Sequence, residues 1–218
     1  MNFIDLKHTF EINEKLGIEV KEESWGKYLI VDNFWKRPEK IKEYCLTYHP
    51  VKLPGVYSSP DNGSKYYDGR IKFVFDEMPL FTEVVYYLAY TYFNKHELRV
   101  RQHNPYILCG NIFEMYDLDY NKFSDHSYAP HTDGTDQIAA TWYMNTNYSS
   151  DEGTGVYDCV PQIKNTPWCT GVNLIGKMPA KYNRMVLYES HVPHGQLVTD
   201  RWFSEKRISL VQFFDTKY

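Results

Sequence analysis

The residues with the clearest capacity for chemistry lie in Ala129-Pro130-His131-Thr132-Asp133-Gly134. His131 and Asp133 are two apart, so on an extended strand both side chains leave the same face. An imidazole and a carboxylate held that way can take adjacent corners of one metal ion. A third ligand is available downstream in Val192-Pro193-His194-Gly195. Two histidines and a carboxylate on one face of an octahedron leave three positions open, an arrangement suited to Fe(II) with a chelating co-substrate and dioxygen. His-x-Asp alone is a weak signal, and the same ligands would serve a zinc hydrolase with water in the open position. His191 competes with His194 for the distal place. It falls on the turn after the apolar strand Met185-Val186-Leu187-Tyr188, whereas His194 opens the next strand, where a rigid backbone can hold it.

Thirteen residues beyond His194 comes Arg207-Ile208-Ser209-Leu210, inside an apolar run that ends Val211-Gln212-Phe213-Phe214. Arg207 and Ser209 alternate with Ile208 and Leu210, so they share a strand face. An inward guanidinium requires an anion. Its planar fork suits a carboxylate, and a hydroxyl two residues on can add a bond. The pair is suited to the far carboxylate of a small diacid; the plainer reading is an arginine at a strand end paired to an acidic side chain. Arg201 is the alternative anchor, but it sits in the presumed turn and has no serine at the matching offset.

Together these two halves resemble the 2-oxoglutarate/Fe(II)-dependent dioxygenases, in particular the prolyl-4-hydroxylase-like branch and its small phage-carried members. His131, Asp133 and His194 match the ligand pattern, and Arg207 with Ser209 match the oxoglutarate-binding Arg-x-Ser. The strand Ala139–Asn145 is similar to that branch's Tyr-Leu-Asn strand, with Met144 in place of Leu. Glu152-Gly153-Thr154-Gly155-Val156-Tyr157 resembles its Gly-Gly-Thr-x-Phe turn, with Glu152 at the first Gly. Leu29–Phe34 followed by Pro38-Glu39 looks like the entry strand and first helix of small members. The resemblance implies a mainly β (α+β) double-stranded β-helix, a cupin-like jelly roll, with N-terminal supporting helices. It implies Fe(II) as cofactor, 2-oxoglutarate as co-substrate and dioxygen, with hydroxylation of a C–H bond on a peptide residue or small molecule and release of succinate and CO2. Tyr143 and Tyr116 match positions near the oxoglutarate, although Asp117–Tyr128 is longer than in those enzymes. Nucleic-acid demethylases of the superfamily carry a second arginine six residues after the first, where this chain has Phe213. The alternatives are a metal-dependent hydrolase, which leaves Arg207 without a role, and a non-catalytic jelly-roll binding protein.

Bulk properties agree with one domain. The chain has 218 residues, within the size of single all-β units, and is read as one unit over residues 1–218. Residues 1–104 form a supporting strand and helix region and residues 105–218 the β-helix core. A net charge of −4 supplies no basic footprint for nucleic acid. No run of about 18 apolar residues is present to span a membrane, and the first residues lack a basic-then-apolar leader. Four scattered cysteines without a close pair suit a reducing, cytoplasmic setting. Twenty tyrosines suit half-buried strand faces.

The elements that must position the site follow from periodicity. Tyr28–Phe34 reads as a strand. Pro38 starts a helix carrying Ile41, Tyr44, Cys45 and Tyr48. Leu53–Arg70 has the composition of a loop able to form a lid or substrate rim. Phe81, Val84, Val85, Leu88, Tyr92 and Phe93 make one stripe of a helix over about Pro79–Phe93. Short strands are expected near 107–117, 128–132, 136–146, 154–160, 169–175, 184–190, 194–199 and 206–215. Residues 1–27 are expected to form a short helix or strand outside the core.

Overall fold

The computed structural model describes residues 6–47, 51–52, 67–74, 79–96, 98–100, 106–114, 132–133, 137–161, 169–197 and 209–216. Three helices occur among them: α1 (Leu6–Thr9), α2 (Pro38–Thr47) and α3 (Pro79–Phe93). The strands are β1 (Gly17–Glu23), β2 (Gly26–Asp32), β3 (Val51–Lys52), β4 (Tyr67–Val74), β5 (Leu98–Val100), β6 (Tyr106–Glu114), β7 (Gln137–Tyr143), β8 (Gly153–Pro161), β9 (Cys169–Pro179), β10 (Arg184–Glu189), β11 (His194–Leu197) and β12 (Ser209–Thr216). The protein is mainly β, and its strands form two antiparallel sheets. The larger runs β1-β2-β10-β7-β12-β6-β4-β3, with β5 also on β12, and the smaller runs β11-β8-β9.

The middle strands of the large sheet are apolar on both faces because both faces are covered. On one face, Leu29, Val31, Ile138, Ala140, Trp142, Met185, Leu187, Leu210 and Phe214 pack with Ile41 of α2 and Val85, Leu88, Ala89 and Phe93 of α3. Their alternates, Tyr28, Ile30, Ala139, Tyr143, Val186 and Tyr188, pack with Val156 of β8 and Met178 of β9. Helices, large sheet and small sheet therefore form successive layers. The period of two along β2, β7 and β10 decides which side chain enters which layer.

The junction after β2 is built by two asparagines. Asn33 adopts φ 57° and ends the strand, which turns Phe34 and Trp35 into the helix-side core, where Phe34 meets the rings of Trp35 at 4.7 Å and Trp142 at 5.4 Å. Asn183, at φ 60°, uses its side chain as a surrogate strand. Its Oδ1 accepts from Trp35 N at 2.8 Å and its Nδ2 donates to Trp35 O at 2.9 Å. Beside it, Arg184 makes a two-point contact with Asp32 (2.7 and 3.0 Å), and Lys181 Nζ adds a third bond at 2.9 Å. Burial alone works to raise the Asp32 pKa; the bonds and charges of Arg184 and Lys181 outweigh it and hold the carboxyl below its ordinary value.

Three expectations need correction. The Leu53–Arg70 stretch is not loop throughout: Tyr67–Arg70 belong to β4, paired with β6 from Tyr67↔Glu114 onward. Gly69 looked like a loop residue, but it lies where the register shifts between Gly69 and Ile71, a bulge that glycine accommodates within a strand. Residues 1–27 are not all outside the core, since Phe10 is buried edge-on against Trp35 at 5.6 Å. The entry strand spans Gly26–Asp32, two residues earlier than read, because Asn33 turns the chain. Among the described residues, no helix is long and apolar enough to cross a membrane.

Candidate metal and co-substrate site

The turn from β10 into β11 assembles the centre of the site. Val192 N donates to Glu189 O at 3.3 Å and Tyr157 N to Pro193 O at 3.0 Å, so the turn is fastened at both ends. His191 projects from it and is exposed. His194 opens β11, opposite Val156 of β8, and is buried. Its Nδ1 lies 2.8 Å from Val192 O. A carbonyl can only accept, so Nδ1 carries the ring proton in this contact and Nε2 presents its lone pair unless the ring is doubly protonated. Tyr188 closes one side of the imidazole edge-on, at 5.0 Å and 73°.

Nε2 faces Asp133 Oδ2 at 3.1 Å, with both side chains largely buried. Asp133 is held by the same turn: its N–H donates to Ser190 O at 3.0 Å. Two acceptors at that separation call for a cation between or beside them, either a proton or a metal ion. Ligands about 2.1 Å from one metal and at right angles to each other stand about 3.0 Å apart. The observed separation fits that edge, and the backbone bond to Nδ1 is the outer-shell contact that metal-binding histidines use. The donor set therefore fits a divalent metal.

Next to this pair is a polar group in the intersheet layer. Tyr143 Oη lies 2.7 Å from Thr154 Oγ1 and 3.4 Å from Met178 O. Either hydroxyl can donate in the short contact, while Met178 O can only accept in the longer one. Ser209 stands directly opposite Tyr143 in the β7–β12 register, so their side chains share a face. Ser209 is 1% exposed, and its hydroxyl makes no hydrogen bond. A buried hydroxyl in that state costs about 1–3 kcal/mol, which a bound polar ligand would recover. Thr154 is two residues along β8 from the partner of His194, about 7 Å. That span is comparable to a five-carbon diacid. Val156, Met178, Val186 and Tyr188 supply apolar walls around it.

Of the residues singled out from sequence, Asp133 and His194 are brought together, and Tyr143 and Ser209 form a second group. His131, Tyr116 and Arg207 lie outside the described residues. Among the described residues, no third His, Cys, Asp or Glu joins the first pair. The strand expected near 128–132 lies, but for Thr132, outside the described residues; Asp133 itself is in no strand, and its N–H is held by Ser190 O. Thr154, Ser190 and Tyr188 were not read as site residues. Only Thr154 had a signal, its place in the Gly-rich turn; the other two act through backbone and ring contacts that spacing does not encode. Gly153 in that turn has φ 153°, and a Cβ there would lie 2.2 Å from Met178 O, so glycine lets β8 lie this close to β9. Comparison with models of known protein families and with curated proteins finds no match to this chain.

Proposed function

We propose that the protein is an Fe(II)- and 2-oxoglutarate-dependent oxygenase built on a double-stranded β-helix, acting on a C–H bond of a small molecule or peptide residue. The observation that carries the reading is the His194–Asp133 pair, with Nε2 and Oδ2 3.1 Å apart and Nδ1 anchored on Val192 O. The buried group of Tyr143, Thr154 and Ser209 supports it further. The two antiparallel sheets, facing each other across a shared core, support the jelly-roll assignment.

In this reading Asp133 and His194, with His131, hold the metal. Fe(II) with 2-oxoglutarate and dioxygen supplies the oxidising power, releasing succinate and CO2. The remaining work falls to the chain. Val192 O fixes the His194 tautomer and ring plane. Ser190 O fixes the approach of Asp133. Arg207, Ser209, Tyr143 and Thr154 receive the far carboxylate of the co-substrate, and the apolar walls exclude water from the reacting groups. Burial raises the pKa of the Tyr28 and Tyr157 phenols, Tyr28 with a contribution from Glu23, so both stay neutral at physiological pH.

The test is anaerobic calorimetric titration of Fe(II) and then 2-oxoglutarate, followed by measurement of succinate on admitting oxygen with substrate mixtures. Ordered binding and succinate release are expected. Metal binding with no oxoglutarate binding, together with metal-dependent hydrolysis, would support the hydrolase instead. Absence of metal binding would leave a buried His–Asp pair in a non-catalytic fold.

A further inference from the structure

Among the described residues, no strand pairs with the outer edge of the large sheet at β1. β1 pairs with β2 and ends the sheet. Its residues are exposed except for partly covered Lys21, so the backbone groups on its outer edge face solvent. Ile18 and Val20 are 39% and 42% exposed. They stand opposite Val31 and Leu29, which belong to the helix-side core, so they extend that apolar face to the rim. On the other face Glu19 and Lys21 pair along the strand at 2.5 Å.

Charge order makes this edge complementary to itself in one register. In an antiparallel pair of two copies with Val20 opposite Val20, Glu19 faces the other copy's Lys21 and Lys21 faces its Glu19. Moving the register by two residues one way sets Glu19 opposite Glu19. Moving it the other way sets Lys21 opposite Lys21 and Glu19 opposite Glu23. One-residue moves turn Ile18 and Val20 away from the shared apolar face. A parallel pair in register stacks like on like. An edge protected only against pairing would carry one sign of charge; this strand alternates sign where a two-fold axis through Val20 requires it.

We propose that β1 is a self-association surface, on which a second copy of this chain adds antiparallel to continue the large sheet across a two-fold axis. The interface joins identical edges, so it closes at two copies. A single seven-residue strand edge is small for a stable interface, so association is expected in the micromolar range.

Sedimentation equilibrium of the full chain over a concentration series tests this. Glu19→Lys and Lys21→Glu are surface changes that each place two like-charge pairs across the axis, and each should weaken association by about tenfold. The double variant E19K/K21E reverses every pair and should restore it. An equimolar mixture of E19K with K21E should associate more tightly than either alone. In the mixed dimer an edge with lysine at both positions meets an edge with glutamate at both, so every cross-axis pair is again of opposite sign. Circular dichroism checks that each variant is folded. A wild-type chain that stays monomeric to about 1 mM, or a dimer indifferent to both single reversals, overturns the proposal. So does a mixture no tighter than its components.

Discussion

Replacing Asp133 by alanine gives the sharpest test of the proposed metal site, because it removes one of two proposed ligands whose relative position is seen. A ligand that binds only the folded state stabilises it by about 2.7 kcal/mol at one hundred times its Kd. For a chain of this size about 1 kcal/mol moves Tm by about 2–4 °C, so saturating metal should raise the wild-type midpoint by about 5–11 °C. If loss of the carboxylate weakens binding a hundredfold, the same metal concentration gives only about 0.4 kcal/mol, a shift of about 1–2 °C. The assay is a thermal melt with and without Mn(II), which replaces Fe(II) without oxidation, on wild type, Asp133→Ala, His194→Ala and His191→Ala. The first two variants should lose the metal-induced shift. His191→Ala should retain it, because His191 is exposed on the turn and Val192 O orients His194 without it. Subtracting each variant's own metal-free midpoint removes the stability cost of breaking the buried pair. A full shift in Asp133→Ala, or its loss in His191→Ala, refutes the assignment.

Arg207→Ala should weaken 2-oxoglutarate binding by about tenfold to a hundredfold, from loss of a charged hydrogen bond of about 1.5–3 kcal/mol, with metal affinity unchanged; calorimetry on metal-loaded protein reads both. Asp32 titrates below its ordinary value when folded, so its contribution is present above about pH 4 and is lost as pH falls through the folded pKa. Urea denaturation should show Asp32→Asn less stable than wild type near pH 7, with the difference shrinking at lower pH. Asn183→Ala should cost about 3–5 kcal/mol in chemical denaturation, since it leaves Trp35 N–H and C=O without their side-chain partners and places alanine at positive φ. Asn183→Gly should recover only the backbone part.

Much of the fold was legible because β2, β7, β10 and β12 of the large sheet bury apolar side chains. Met185-Val186-Leu187-Tyr188 reads as a strand from its apolar run alone, and α3 from its stripe. A short helix or strand is expected within residues 1–27, and β1 is such a strand; its bounds are not legible because Gly17–Glu23 is exposed and has no apolar alternation deep enough to mark them. β4 was hidden by Gly69, whose bulge resembles a turn in sequence. At the site, His194 was legible from its place at a strand start, whereas what holds Asp133 was not. What positions it is the carbonyl of Ser190, and a main-chain acceptor leaves no trace in residue type.

Four contacts converge on residues 189–194: Val192 N to Glu189 O, Asp133 N to Ser190 O, His194 Nδ1 to Val192 O, and Tyr157 N to Pro193 O. One short turn thus orients both members of the pair, and the turn's own atoms in these contacts are, apart from His194 Nδ1, all main-chain. In the proposed metal site the geometry of Asp133 and His194 is then set by backbone conformation before a metal binds, the preorganisation that such a site requires. Pro193 is the residue that stiffens the turn, since its ring fixes φ and restricts Val192 before it. Loosening it therefore disturbs Asp133 and His194 together. The coupling belongs to the turn rather than to either ligand.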